Sequence, residues 1–168
     1  MEGDQAAAAE LVDRYQRPLF NVALRMLGNV QDAEDVTQVV FSNVFTSLER
    51  YDARYRFFSW AYRMAMNESL NALKRRREMV TLDDHSAIPA RGAAVDDAVE
   101  AVEVEERVRS ALLQLKAEDR TLLVMRHFSS LSYEEIAEVL EVPTKTVKSR
   151  LFTARDRLRT VLLKQGEG

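Results

Sequence analysis

The stretch Leu131-Ser-Tyr-Glu-Glu-Ile-Ala-Glu-Val-Leu-Glu-Val-Pro-Thr-Lys-Thr-Val-Lys-Ser-Arg-Leu-Phe-Thr-Ala-Arg155 decides the fold. Ser132 and Glu135 have the S-x-x-E spacing of a capping box, in which each side chain satisfies the other residue's orphan backbone N–H, so a helix starts here. It runs to Leu140 and breaks over Glu141-Val142-Pro143. A second helix restarts at Thr144, a suitable N-cap, and reaches about residue 163. Val147, Leu151, Ala154, Leu158 and Leu162 give this last helix an apolar face, and Lys145, Lys148, Ser149, Phe152, Arg155 and Arg159 occupy the opposite one. Two short helices, a tight turn, a small Ala137 that allows a close crossing, and a basic outer face form the helix-turn-helix pattern for reading a DNA major groove. The same spacing also suits an ordinary helical hairpin with a solvated basic face. Glu141 stands where such turns often hold Gly, and a non-Gly residue at positive φ costs on the order of 1 kcal/mol.

Upstream, helical spacing continues through Val104, Val108, Ala111, Leu112 and Leu115, then a short helix through Leu122, Leu123 and Met125. The first half reads as three helices, over 5–28, 32–49 and 57–77. The second opens on Asp32-Ala-Glu-Asp35, with acids at the positive end of the helix dipole, and its Val36, Val40, Val44 and Leu48 form one buried stripe. Periodicity disappears from Glu78 to about Val95, where Pro89-Ala-Arg-Gly92 sits among acids, as expected of a flexible linker. The expectation is an all-α chain of two small helical domains, 1–77 and 96–168, joined by an acidic linker over 78–95.

Composition agrees with a helical protein: 168 residues, 46% hydrophobic and 30% charged, with 5 Gly and 3 Pro. The absence of cysteine excludes disulfides, thiol nucleophiles and cysteine-ligated zinc. No signal peptide or apolar run of about 20 residues is visible, so a cytoplasmic chain without membrane insertion is expected. The net charge of −3 hides a pattern. Residues 1–77 carry 11 basic and 10 acidic groups, 78–106 carry 1 and 9, and 107–168 carry 12 and 8. Basic groups concentrate in Lys74-Arg75-Arg76-Arg77 and between Val142 and Lys164, at the two ends that would meet a polyanion.

A second constellation lies in the first half. Phe57-Phe58-Ser59-Trp60 is followed by Arg63, Asn67, Asn71 and Lys74, a polar stripe running down one helix face from an aromatic cluster. Rings that stack bases, amides that read their edges and cations that hold phosphates suit single-stranded or melted DNA. Taken alone, the aromatics equally suit a core and the charges a wet surface. No catalytic set appears: His85 and His127 are isolated, and there is neither a Gly-rich phosphate loop nor a nucleophile elbow. A non-enzymatic protein without metal or cofactor is expected.

Both halves resemble the extracytoplasmic-function branch of the bacterial sigma factors, minimal members that keep only the second and fourth regions. The matching stretches are Asp-Ala-Glu-Asp-Val-Thr-Gln-Val-Val-Phe (32–41), Phe-Phe-Ser-Trp-Ala-Tyr-Arg-Met-Ala-Met-Asn (57–67) and residues 131–155, in the family's order and spanning most of the chain. The resemblance implies core RNA polymerase and promoter DNA as partners, with an anti-sigma factor as a further one. It implies that Asp35 and Gln38 contact the clamp helices of the polymerase, and that the loop Tyr51 to Phe58, with Arg54 and Arg56, captures a flipped base of the −10 element. Asn67 would lie near that base, with Trp60, Arg63, Asn71 and Lys74 on the same DNA-facing side. Lys148, Ser149, Phe152 and Thr153 would face the −35 element, flanked by Lys145 and Arg155. Three positions depart from the family pattern: Val39 for a common acid, Asn71 for a common Asp and Lys116 for a common Pro. They leave promoter preference open. A plain helix-turn-helix regulator would explain residues 107–163 but not the aromatic and amide stripe of the first half, an adaptor built of helical bundles is a second alternative, and binding to core polymerase separates the sigma reading from both.

Overall fold

A computed structural model describes residues 2–54, 56–82 and 99–166, with side chains described over 5–54, 56–79 and 103–166. All regular structure among these residues is helical. The N-terminal domain comprises α1 (Glu2–Leu27), α2 (Val30–Thr46), a single 3-10 turn (Leu48–Arg50) and α3 (Phe57–Leu82). The C-terminal domain comprises α4 (Val99–Gln114), α5 (Ala117–Leu123), a π-turn (Val124–Phe128), α6 (Tyr133–Leu140) and α7 (Thr144–Gly166). The linker expected over 78–95 begins later than the loss of periodicity suggests, because α3 continues to Leu82. The rest of it, and His85, lie outside the described residues.

In the N-terminal domain, α1, α2 and α3 pack mutually. Gly28 ends α1 at φ +71, and its N–H closes on the Leu24 carbonyl at 2.8 Å. A Cβ there would lie 2.6 Å from a Leu113 methyl, which would have to shift, and the left-handed turn is what calls for glycine. Asn29 caps α2 by accepting from the Asp32 N–H at 2.9 Å, placing the start two residues before the acids that suggest it. Val36, Val40 and Val44 are buried as their four-residue spacing requires. Leu48 is 42% exposed, because α2 ends at Thr46 and the tighter 3-10 turn rotates Leu48 off the stripe.

In the C-terminal domain α7 packs across α4, α5 and α6. The Ser132/Glu135 capping box is formed in both directions, at 2.8 and 3.1 Å. Glu141 ends α6 in the left-handed region, φ 54 and ψ 42, the strained conformation its position in the turn implies. The first backbone bonds of α7 close on the Pro143 carbonyl, so Thr144 is the first helical residue and Pro143 the flanking one. Val147, Leu151 and Ala154 are buried beneath it. Val104 is 54% exposed, since α4 lies against α7 and α1 only further along its length.

The two domains share one contiguous core. Leu19, Val22, Met26 and Tyr62 of the first belong to the same buried cluster as Leu112, Leu123, Met125 and Leu151 of the second. A buried cation stitches the seam. Arg120 is 6% exposed, and its guanidinium donates to the carbonyls of Leu112 (2.9 Å), Leu113 (2.9 Å) and Leu115 (3.1 Å) at the end of α4 and of Met26 at the end of α1. Each set of carbonyls is the negative end of a helix dipole, which is why a cation is tolerated there without a carboxylate partner at the guanidinium. Its burial pulls the Arg120 pKa below the ordinary arginine value.

Candidate nucleic-acid interface

On the α7 face opposite Val147, Leu151 and Ala154 the expected side chains Lys145, Lys148, Ser149, Phe152, Thr153 and Arg155 are all exposed. Phe152, 76% exposed, is an aromatic side chain held out on the side of α7 away from the buried Val147, Leu151 and Ala154, whereas Leu158 and Leu162, further along the apolar face, are only partly buried. Such a ring is suited to a thymine methyl in a major groove. Around this face lie three residues that sequence spacing did not single out as interface. The Arg155 Nε donates to His127 Nε2 at 3.2 Å, so this histidine nitrogen is unprotonated. Burial, then Arg155 and Arg126, pull the His127 pKa below its usual value. Tyr133, the first residue of α6, has the Arg126 guanidinium 5.0 Å and the Lys148 ammonium 5.6 Å from its ring centroid. A hydrogen bond with Arg155 is the main reason its hydroxyl pKa is lowered. Arg126, His127 and Tyr133 join the basic face only through the docking of the π-turn and α6 against α7, although a tyrosine directly after a helix cap was a local signal for a side chain at that edge.

The second constellation spreads along α3. Tyr51, Phe57 and Trp60 form one aromatic cluster, with ring centroids 5.2 Å apart for Tyr51 and Trp60, 5.6 Å for Tyr51 and Phe57, and 5.8 Å for Phe57 and Trp60. These rings are half-buried, packing on the core at one edge while keeping the other in solvent. Phe58 packs against Tyr15 and the buried Tyr62, and Phe57 meets the same Tyr15 ring at 5.0 Å between centroids. The two sequence readings therefore hold together: Phe57, Phe58 and Trp60 pack against neighbouring rings, and each stays only partly buried. Asn67, Asn71 and Lys74 are exposed down the same helix. Arg54 is exposed and forked onto Asp52 at 2.6 Å, which holds the Asp52 carboxyl below its usual pKa. Arg56 and Arg63 are paired with acids of the C-terminal domain, at 3.1 Å to Glu135 and 2.7 Å to Glu141.

On α2, Asp35 and Gln38 are exposed on the face opposite Val36, Val40 and Val44. Asp35 lines a shallow groove of about 440 Å³ with Asp32, Val39, Arg75, Arg76 and Met79. Val39 and Met79 are 44% and 70% exposed there, so the groove combines apolar contact area with charge of both signs. Neither constellation gathers a catalytic set, and no group of three or more metal-ligating side chains forms among the described residues. No helix among them is long and apolar enough to cross a membrane.

Comparison with known proteins places these surfaces in a family context. The profile "Sigma-70 region 2" matches residues 11–79 and "Sigma-70, region 4" matches residues 105–158. The chain is 33% identical to the ECF RNA polymerase sigma factor SigW of Bacillus subtilis, over 96% of this chain and 91% of that protein. It is 29% identical to the ECF RNA polymerase sigma-E factor of Escherichia coli K12, over 94% and 87% of the two chains. Among solved structures, the sigma factor RpoE of Bartonella quintana, crystallised with the anti-sigma factor NepR, shares the fold with a TM-score of 0.77 and 22% identity over 92% of this chain and 95% of that one. CnrH, in complex with the cytosolic domain of CnrY, superposes with a TM-score of 0.70 at 25% identity over 96% and 90% of the two chains.

Proposed function

The chain belongs to the sigma-70 family, in its extracytoplasmic-function branch, and from this we propose how its surfaces divide the work of promoter-specific transcription initiation. A sigma factor binds core RNA polymerase and directs it to promoter DNA. In this chain residues 1–77 would supply the polymerase contact and the −10 element, and residues 96–168 the −35 element. The observation that carries the residue-level reading is the α7 face: six exposed side chains, basic, hydroxylic and aromatic, on a helix whose reverse is anchored by the buried Val147, Leu151 and Ala154. Lys148 and Ser149 reach base edges and Phe152 meets a methyl, while Lys145 and Arg155 hold phosphates. Thr153 is on the same face, its hydroxyl turned to the Ser149 carbonyl at 3.3 Å until DNA offers an alternative.

Melting falls to the first domain. An extruded base needs a stacking surface and edge contacts to offset the few kcal/mol lost on unstacking. The open faces of Phe57, Trp60 and Tyr51 offer the first, and Asn67 and Asn71 the second, with Arg54, Arg56, Arg63 and Lys74 toward the backbone. Asp35 and Gln38, beside the α2/α3 groove, contact the polymerase clamp. The chain contributes binding rather than catalysis, and acts where the polymerase is, in the cytoplasm. An anti-sigma partner is in keeping with the fold, since both structural neighbours are held by one or by a partner's cytosolic domain.

Titration of the purified chain against core polymerase, followed by run-off transcription, tests this reading. Asp35→Arg/Gln38→Ala is expected to weaken core binding at least tenfold, equivalent to about 1.4 kcal/mol, with an unchanged melting temperature because both side chains are exposed. Holoenzyme assembly with parental affinity would reject the clamp assignment.

A further inference from the structure

Two of the cations assigned to the −10 strand, Arg56 and Arg63, already hold acids of the C-terminal domain in this structure. Arg56 Nη1 lies 3.1 Å from Glu135 Oε1. Arg63 Nη1 donates to Glu141 Oε1 at 2.7 Å, and its Nη2 to the backbone carbonyl of Glu138. All three acceptors belong to α6 or its cap, the first helix of the helix-turn-helix, more than seventy residues away in sequence. α6 packs on α3, and the turn that leads into α6 is tied to the first domain as well. The Tyr62 hydroxyl, on a fully buried side chain, pairs with Ser129 Oγ at 2.9 Å, and Arg25 stacks over Phe128 with 4.5 Å from guanidinium carbon to ring centroid.

A guanidinium that binds phosphate binds carboxylate by the same fork of N–H donors. We propose that the acidic side of α6 is the intramolecular occupant of the −10 face, so that Glu135 and Glu141 compete with the promoter strand for Arg56 and Arg63. The proposal rests on the assignment of these arginines to DNA made above. The contact is a bias and not a lock: the pairs are partly solvent-exposed, with side-chain exposures of 82% and 26% for Arg56 and Glu135, and 39% and 75% for Arg63 and Glu141. Two such pairs together shift an equilibrium by about two- to tenfold, and salt screens them.

The chain contains no cysteine, so introduced cysteines label cleanly. Exposed Ser42 on α2 and Thr160 on α7 are replaced by cysteine in the full chain and labelled as a donor–acceptor pair. In this background Glu135→Gln/Glu141→Gln removes both carboxylates, and glutamine at 135 keeps the capping box. Glu134→Gln/Glu138→Gln is the control: it removes the same charge from the same helix, and the backbone acceptor of Arg63 remains. Relative to the control, the first variant is expected to show lower energy transfer and about two- to tenfold tighter binding of a fluorescent single-stranded −10 oligonucleotide. Ionic strength well above about 0.15 M should erase both differences. Equal behaviour of the two variants in both assays overturns the proposal. Lower transfer with unchanged oligonucleotide affinity overturns the competition and traces the failure to the DNA assignment of Arg56 and Arg63. Tighter oligonucleotide binding with unchanged transfer assigns the gain to local charge and overturns closure by α6.

Discussion

Replacing Arg120 tests whether the seam between the domains stabilises the chain. The guanidinium makes four hydrogen bonds to backbone carbonyls of α1 and α4, from a site 6% exposed. Hydrogen bonds to a charged group contribute about 1.5–3 kcal/mol each, which would exceed 6 kcal/mol if summed. Two effects reduce that figure. Removing the cation also removes its desolvation penalty, which is several kcal/mol for a buried ion. The Leu112 carbonyl also keeps a second donor, the Leu115 N–H at 3.1 Å. Arg120→Met, which fills much of the space but donates nothing, is therefore expected to cost about 2–4 kcal/mol. Arg120→Ala adds a cavity and should cost about 3–5 kcal/mol. Against a total stability of about 5–15 kcal/mol, either loss is large. Urea unfolding followed by circular dichroism measures it. The shared core predicts a single transition for the parent, and the variant should move the midpoint. A loss below about 0.5 kcal/mol for Arg120→Met, the level of an unremarkable surface change, would show that burial cancels the hydrogen bonds and would refute the reasoning.

Two further outcomes follow from the α7 face. Lys148→Ala should relax preference at one position of the −35 element at a loss of about 1–3 kcal/mol, whereas Arg155→Ala should weaken all sequences alike and flatten the salt dependence; binding to element variants over a salt series separates them. The depressed pKa of His127 has a signed consequence: the folded state favours neutral imidazole, so its contribution to stability is complete above the unfolded value near 6.5 and is lost as pH falls below it toward the folded value. His127→Gln should therefore lose less melting temperature than the parent between neutral pH and about pH 5, and parallel losses in the two proteins would reject a shifted histidine.

Much of this was legible in the chain itself. The capping box at Ser132 and Glu135, the strained turn at Glu141, and the exposed face of α7 follow from spacing alone. They depend on backbone groups and side chains within one or two helical turns. For the same reason Val36, Val40 and Val44 were readable as core, but Leu48 was not readable as exposed, since the same period continues past the point where the helix ends. The aromatic run 57–60 left two readings open because a ring's period says which face it shares, not how much of that face another helix covers. Docking decided that, setting Phe58 against Tyr15 and Tyr62 and leaving it, like Phe57 and Trp60, half-buried.

What the sequence determined by itself was the set of helices, their caps and the chemistry of their faces, because these are local consequences of a 3.6-residue period. Tertiary structure alone decided that two domains share a core, that Arg120 joins the ends of α1 and α4, and that Arg56 and Arg63 face Glu135 and Glu141. The partners in these contacts lie 79, 78 and 94 residues apart for Arg56–Glu135, Arg63–Glu141 and Arg120–Met26. No periodicity couples groups at such separations. Only the close packing of α1 and α3 against the second domain, which the shared apolar surface drives, brings them within hydrogen-bond reach.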